Sequence, residues 1–447
     1  MSAGEQIPET RFTRVGEDRI AYQVLGEGPI DLVYLPSSQD CIDVIWEYPP
    51  YARFLHRLAI FSRLITFDRR GAGASDAAQA DGLAAWESWA DDAGAVLDTI
   101  GSEQAALLGQ SDGGPTAILF AATRPERTRA LVLFNSSARF LRDDDYPFGL
   151  DRADADATSE FLINAWGTNA MANFSPLLAN DPAYVRWLTK CQRLTHSPRD
   201  AAAYYRWVQH TDVRQVLPSV RSPTMILHRK GAPHVTVDQG RYLAEHIQDA
   251  RFVPLEGTQS TFYEEPNDDV VEHIEEFLSG LGRTIEPDRA LAAILYTDIV
   301  GSTERLSAMG DREWRNLLDT HDAVARTMVE QHRGKIVKTT GDGILATFDG
   351  PGRAILCALA LRDAVQPLGL DIRAGLHTGE VEMRGTDIAG IAAHIAARVL
   401  EATPPGELLV SGAVPMLVAG SGFEFEDRGE HELKGVPGAW RLYAVDN

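Results

Sequence analysis

The sequence predicts two mixed domains in series: an α/β domain with a mostly parallel sheet and a helical cap over residues 1–281, and an α+β domain over residues 289–447. Three features carry that expectation. Short β-rich runs alternate with helical stretches through the first domain, the pattern of parallel strands joined by crossover helices. The alternation stops between Ala138 and about Val216, where helical segments rich in Trp, Tyr and Arg, such as Ala183–Leu194 and Ala201–His210, take over. An insertion of that length between two strands reads as a cap, about residues 138–216, over the sheet's C-terminal edge. A helix from about Asn267 to Leu281 then ends in Gly280 and Gly282, with Pro287 beyond, so residues 282–288 are the expected linker.

In order, the strands of the first domain are expected at Asp31–Leu35, Leu64–Phe67, Ala105–Leu108, Ala130–Phe134, Thr224–Leu227 and Arg251–Pro254. The second domain opens on an apolar strand, Ala290–Asp298, followed by a long amphipathic helix to about Gln331. Strands Lys335–Thr340 and Ile344–Phe348 are joined across Gly341-Asp342-Gly343, and Asp-Gly between β-rich runs is a strong hairpin signal. A helix over Gly352–Val365, a strand near Asp371–His377 and a helix near Ile388–Ala402 complete the pattern.

Composition narrows the function classes. The chain has 447 residues, 44% of them apolar and 24% charged, as in ordinary globular proteins. Its formal net charge of −22 argues against a general nucleic-acid binder, since phosphate backbones are held by concentrated Lys and Arg. Cys41, Cys191 and Cys357 lie far apart without metal-ligand spacing, which fits a reducing compartment and no disulfide framework. The first residues show no apolar signal region, and no apolar run approaches the ~20 residues a membrane span needs. The expectation is a soluble, cytoplasmic protein.

The chemistry-bearing residues of the second domain fall in three signatures: Tyr296-Thr297-Asp298-Ile299-Val300-Gly301-Ser302-Thr303, Lys338-Thr339-Thr340-Gly341-Asp342-Gly343, and Thr386-Asp387-Ile388-Ala389-Gly390 leading to His394 and Arg398. One carboxylate ends a buried strand and another sits in a hairpin turn. A sheet that brings them together makes a two-carboxylate site for divalent metal, able to activate a hydroxyl and clamp a polyphosphate. Taken singly, each residue has a structural alternative. Asp387 suits an N-cap for the following helix, Asp342 suits turn chemistry, Lys338 and Arg373 suit solvated strand charges, and His394 suits simple packing.

With these motifs in this order, the segment from about Asp288 to Asn447 resembles the class III adenylyl/guanylyl cyclase catalytic domain, with its ferredoxin-like core, over essentially its full length. The resemblance implies ATP as substrate, Mg²⁺ or Mn²⁺ (two ions per site) as cofactors, and a homodimer whose cyclase domains pair head to tail and share each active site. Asp298 and Asp342 match the metal-binding aspartates, and Ile299 the residue lending a backbone carbonyl. Lys338 and Asp387 match the pair that reads the adenine edge. An ammonium donates to a ring nitrogen there and a carboxylate accepts from the exocyclic amine, which favours ATP over GTP. Arg373 and Lys434 match triphosphate-binding cations, and Arg398 the arginine that stabilises charge on the transferring phosphate. One departure stands out: His394 occupies the position where the family usually has Asn, four residues before Arg398 and on the same helix face. It predicts an altered rate, not inactivity.

In the first domain, Gly109-Gln110-Ser111-Asp112-Gly113 follows a strand and opens a helix, the strand–turn–helix setting of a nucleophile elbow. With Asp68-Arg69-Arg70-Gly71-Ala72-Gly73-Ala74-Ser75-Asp76 upstream, residues 8–281 resemble the α/β-hydrolase fold, cap included. A serine nucleophile needs a base and the base an orienting carboxylate. Relatives usually place the acid at Ala232 and the base at Ser260, so both partners are missing here and the hydrolase site reads as degenerate. His234 and Asp238 are the nearby candidates for substitutes. The retained elbow and cap predict a pocket for a small, largely apolar ligand that biases pairing of the cyclase domains, or else a domain that only supports dimerisation. The resulting expectation is a bacterial-type, short-arm adenylate cyclase behind a hydrolase-like domain. Two alternatives stand beside it: a serine hydrolase with a cyclase-like regulatory module, and a non-catalytic nucleotide sensor.

Overall fold

The computed structural model describes residues 7–446 apart from 36, 38, 78–84, 282–288, 385 and 386, so the expected linker lies outside the described residues. The chain divides into two compact units, residues 1–79 with 88–286 and residues 287–447 with 80–87.

The first unit runs β1 (Arg11–Val15), β2 (Asp18–Leu25), β3 (Ile30–Leu35), α1 (Pro49–Phe61), β4 (Ser62–Phe67), α2 (Ala85–Thr99, counted with this unit from Ser88 onward), β5 (Ala105–Gln110), α3 (Gly114–Thr123) and β6 (Thr128–Phe134). After α4 (Arg152–Ala165), α5 (Pro182–Thr195) and α6 (Pro198–His210) come β7 (Thr224–Arg229), α7 (Val237–His246), β8 (Arg251–Leu255) and α8 (Asp268–Gly280). The eight strands form one sheet in the order β1-β2-β4-β3-β5-β6-β7-β8, parallel from β4 to β8. Strands β5 and β7 are buried at every position, as in parallel strands covered on both faces. The antiparallel pair β1–β2 at the edge is absent from the expected strand list; β1 alternates in burial without a continuous apolar run, while β2 is buried continuously from Ile20 to Gln23.

The interruption between β6 and β7 is helical and starts its helices by recognisable local chemistry. Asp181 accepts from the Ala183 N–H ahead of Pro182, and Ser197 accepts from the Asp200 N–H ahead of Pro198. A short polar side chain followed by proline satisfies an orphan amide and presets the first turn. The core beneath is aromatic: the Phe262 ring stacks on Phe54 at 4.3 Å and on Phe134 at 4.9 Å.

The second unit contains β9 (Arg289–Ile299), α9 (Ser302–Met309), α10 (Asp311–Gln331), β10 (Lys335–Thr339), β11 (Ile344–Phe348), α11 (Pro351–Val365), β12 (Ile372–Arg384), β13 (Asp387–Ala389), α12 (Ile391–Ala402), β14 (Leu408–Ser411), α13 (Ala413–Leu417), β15 (Glu424–Glu432) and β16 (Ala439–Asp446). Its sheet follows the order β10-β11-β9-β12-β14-β16-β15, with β13 paired to β12. Strands β9 and β12 are antiparallel, with Asp298 opposite Arg373 and Tyr296 opposite Gly375. Period-two alternation puts those four residues on one face, and α12 packs there. A Cβ on Gly375 would fall 2.3 Å from the Leu400 backbone nitrogen, so only glycine admits the helix this close. Ala392 and Ala396 fill one cluster with Ile294 and Leu345, while Ile395 and Val399 fill another with Leu433 and Val436.

Three boundaries differ from the sequence pattern. The strand expected near Asp371–His377 continues as β12 to Arg384, held by its pairing with β9 as far as Glu382. The single long helix expected to Gln331 is two helices broken at Gly310, whose φ of 83° no helix accommodates. The helix expected from Ile388 starts at Ile391 instead, because residues 387–389 form β13 and Gly390 takes a φ of 121°. Asp387 is therefore a strand residue, and its reading as an N-cap is corrected: Gly390 holds that position.

Burial pushes the His377 imidazole on β12 down to about 4; its Nδ1 lies 2.7 Å from Ser411 Oγ. An unfolded imidazole titrates near ~6.5, so between those values the unfolded chain binds a proton that the folded chain refuses. Stability is therefore lost as pH falls through this window. Denaturant melts at about pH 7 and pH 5 should show a loss from this group of about 2 kcal/mol, which His377→Gln removes from the pH dependence.

Candidate active site

The two acidic positions of the second unit are brought side by side by backbone. Asp298 is the penultimate residue of β9, and Asp342 sits in the β10–β11 turn between Gly341, at a φ of 101°, and Gly343. A Cβ on Gly343 would fall 1.8 Å from the Thr297 carbonyl oxygen and 3.1 Å from Asp298 Cα. The turn thus lies directly on the end of β9. The Ile299 N–H donates to the Asp342 carbonyl at 3.0 Å, and the Ile344 N–H to Thr297 Oγ1 at 3.2 Å. Ile299 itself is buried.

Both carboxylates have protein partners. Arg373 donates from Nε at 3.0 Å and Nη2 at 2.7 Å to Asp298 Oδ2, so the guanidinium expected on a triphosphate rests on the neighbouring acid. The Ser302 hydroxyl donates to Asp342 Oδ2. Hard oxygen donors on adjacent backbone suit a divalent cation, which is commonly held by one or two carboxylates together with substrate phosphates. Among the described residues no group of three or more His, Cys, Asp or Glu side chains could hold a metal ion.

Lys338 and Asp387, 49 residues apart, meet: Nζ donates to Oδ1 at 3.2 Å and Oδ2 at 3.3 Å, each side chain about half exposed (50% and 54%). Tyr296 lies beside them. Burial raises its phenol, Lys338 opposes the shift and Asp387 adds to it. The sequence motif contains Tyr296 without giving it a role; its place on the same face as Asp298 is the signal that could have done so.

On α12, His394 is exposed and Arg398 partly buried. Glu401, not His394, takes the Arg398 guanidinium. Lys434 is exposed in the β15–β16 connection, flanked by Leu433 and Val436, which pack on α12.

In the first unit, Ser111 follows β5 with a φ of 47°, the strained left-handed conformation of an elbow. Two glycines permit the turn. A Cβ on Gly109 would fall 2.8 Å from Gly114 Cα, and one on Gly114 would fall 1.7 Å from Ser136 Oγ. Ser111, Ala232 and Ser260 line one cavity of about 200 Å³ under the cap, with Trp166, Phe174 and Tyr204 among its walls. The Ser260 and Thr261 N–H groups both donate to the buried Glu264 carboxylate, whose proton affinity burial raises. His234 also lines the cavity, its Nε2 lying 2.8 Å from the Phe174 carbonyl, while Asp238 pairs with Arg241. The strain at Ser111 should be measurable: Ser111→Gly is expected to be more stable than Ser111→Ala by about 1 kcal/mol in denaturant melts, because only glycine relieves the positive φ.

Residues 62–266 match the family model of the alpha/beta hydrolase fold, and residues 287–447 match that of the adenylate and guanylate cyclase catalytic domain. A putative adenylate cyclase 3 of Rhizobium meliloti is 32% identical over 158 residues, 33% of this chain and 27% of that protein. An adenylate cyclase of Streptomyces coelicolor is 30% identical over 131 residues, 28% of this chain and 33% of that protein. The chain thus spans about a quarter to a third of these relatives' lengths. Among solved structures, an esterase from Exiguobacterium antarcticum superimposes with a TM-score of 0.51 at 20% identity, covering 61% of this chain and all of the esterase, a likeness of fold. The chain carries an α/β-hydrolase fold followed by a class III adenylate and guanylate cyclase catalytic domain.

Proposed function

We propose that the second unit is an adenylate cyclase that converts ATP to 3′,5′-cyclic AMP and pyrophosphate at composite sites of a homodimer. The observation that carries the reading is the meeting of Lys338 with Asp387. A donor and an acceptor held together there fit an adenine edge, its ring nitrogen accepting from the ammonium and its exocyclic amine donating to the carboxylate. Guanine reverses that order, and a mispaired polar group costs about 1–3 kcal/mol.

Asp298 and Asp342, with the Ile299 carbonyl, are the residues that would hold Mg²⁺ or Mn²⁺. When bound, such ions supply charge neutralisation and an acidified 3′-hydroxyl. Arg373 is already docked on Asp298 and would turn toward phosphate as that acid takes up a cation. Lys434 would hold the outer phosphates, and Arg398 would stabilise the charge that grows as the hydroxyl attacks the α-phosphorus and pyrophosphate leaves. His394 stands where an imidazole N–H would donate to the nucleotide in place of an amide. Among the described residues no helix is long and apolar enough to cross a membrane.

For the first unit we propose a sensing role. Its cavity has the size for a small ring-bearing molecule, since an engineered cavity of about 150 Å³ binds benzene. The lining is largely apolar, and neither Ala232 nor Ser260 can assist Ser111 as acid or base. The retained strain at Ser111 and the presence of His234 in the same cavity favour a second reading, a serine hydrolase. Labelling of Ser111 by a fluorophosphonate together with ester turnover would establish it.

Purified protein with ATP and Mg²⁺ or Mn²⁺ should release cyclic AMP and pyrophosphate, with far less product from GTP. Asp298→Ala and Lys338→Ala should each abolish turnover, and mixing them should restore about a quarter of it, because half the dimers would then carry one intact site of two. Absence of cyclic product under all four nucleotide–metal pairings, with ATP still bound, would replace the cyclase by a nucleotide sensor. Filling the cavity with Ala232→Trp should alter the cyclase response to small neutral aromatic compounds, read as cyclic AMP formed with and without them.

A further inference from the structure

Helix α12 carries one carboxylate to which no step of the proposed reaction assigns a part. Glu401 sits in the helix's last turn, one turn beyond Arg398 on the same face, and accepts from the Arg398 guanidinium. An acid at a helix C-terminus meets the negative end of the dipole, an unfavourable place that its i,i+3 pairing with Arg398 offsets. Its wider surroundings add further positive charge. Arg398 first, then the charges of Lys434 and Arg373, hold the Glu401 carboxyl below the ordinary carboxylate range. Packing fixes this gathering: the Leu400 backbone lies against Gly375, two residues from Arg373, and Leu433 and Val436 seat the Lys434 segment on α12.

We propose that Glu401 is an internal counter-ion that occupies Arg398 until a polyphosphate displaces it, and so sets how tightly substrate and pyrophosphate are held. The proposal rests on the cyclase reading for the roles of Arg398 and Lys434. A carboxylate and a phosphate present similar oxygen pairs to a guanidinium, so the two compete for one partner. At 57% exposure for Glu401 and 32% for Arg398, the pair is open to an incoming anion. An exposed pair of this kind is worth about a two- to fivefold change in affinity. That is weak enough to be displaced in every turnover and strong enough to matter to binding. Glu401 is thus a positioning residue acting through Arg398.

The test uses the full chain and Glu401→Gln, which keeps the shape and removes the charge. Calorimetric titration with inorganic tripolyphosphate should show about two- to fivefold tighter binding by the variant at low salt, a gain that fades near 1 M salt as screening shortens to about 3 Å. In turnover, KM for ATP and the inhibition constant for pyrophosphate should fall together while kcat does not rise. In an Arg398→Ala background the same substitution should change tripolyphosphate affinity by less than half as much. Unchanged or weaker polyphosphate binding by a folded Glu401→Gln, or a gain that survives both high salt and loss of Arg398, overturns the counter-ion role. A chain without cyclase activity whose variant still binds tripolyphosphate more tightly would overturn the functional reading and leave this one standing.

Discussion

The second unit depends on a backbone contact between the turn at Gly341–Gly343 and the end of β9. Carboxylates repel, and side-chain packing alone would let a pair of them drift apart. Here the main chain sets their separation. Gly343 has no side chain to keep the turn off the Thr297 carbonyl, and the Ile299 N–H closes on the Asp342 carbonyl. Positive partners then gather: Arg373 reaches Asp298 from the adjacent strand because β9 and β12 pair them directly. The same face receives α12, admitted by a second glycine, Gly375. Remove either close approach and the acids, the Lys338–Asp387 pair and the helix cations lose their common framework.

Each of the charges described around the strand end and turn has a protein partner. Asp298 is met by Arg373, Asp342 by a hydroxyl, Lys338 by Asp387, and Arg398 by Glu401. These pairs are partly exposed, so each is individually weak. Partners of that kind keep charges in place and remain exchangeable for phosphate, cation or base. The first unit shows the opposite economy. There Ser111 keeps a strained backbone with Ala232 and Ser260 in its cavity, so the strain persists at a site with no acid or base at the expected positions.

The parallel strands of the first unit were legible because each is a short, continuous apolar run, and the six expected strands match observed ones to within about two residues. The edge strand β1 was not, since a half-buried strand with charged residues on its open face has no such run. In the second unit the breaks at Gly310 and Gly390 were missed because a positive φ is a property of the fold around a glycine, and an isolated glycine does not reveal which conformation it adopts. The candidate residues were nameable from motif spacing, but Tyr296, Ser302 and Glu401 were not assigned, because their relevance comes from neighbours far away in sequence.

Local patterning and residue identity were enough for the fold class of both parts, for the acids at a strand end and a turn, and for the Ala and Ser that stand at positions 232 and 260. That Lys338 reaches Asp387, that Arg373 rests on Asp298, that Asp387 belongs to a strand and that Glu401 pairs with Arg398 emerged from the folded chain. Each of those depends on strand register and on how closely a helix approaches a sheet. Register and approach are set by many weak contacts summed over the whole domain, which no short stretch of sequence contains.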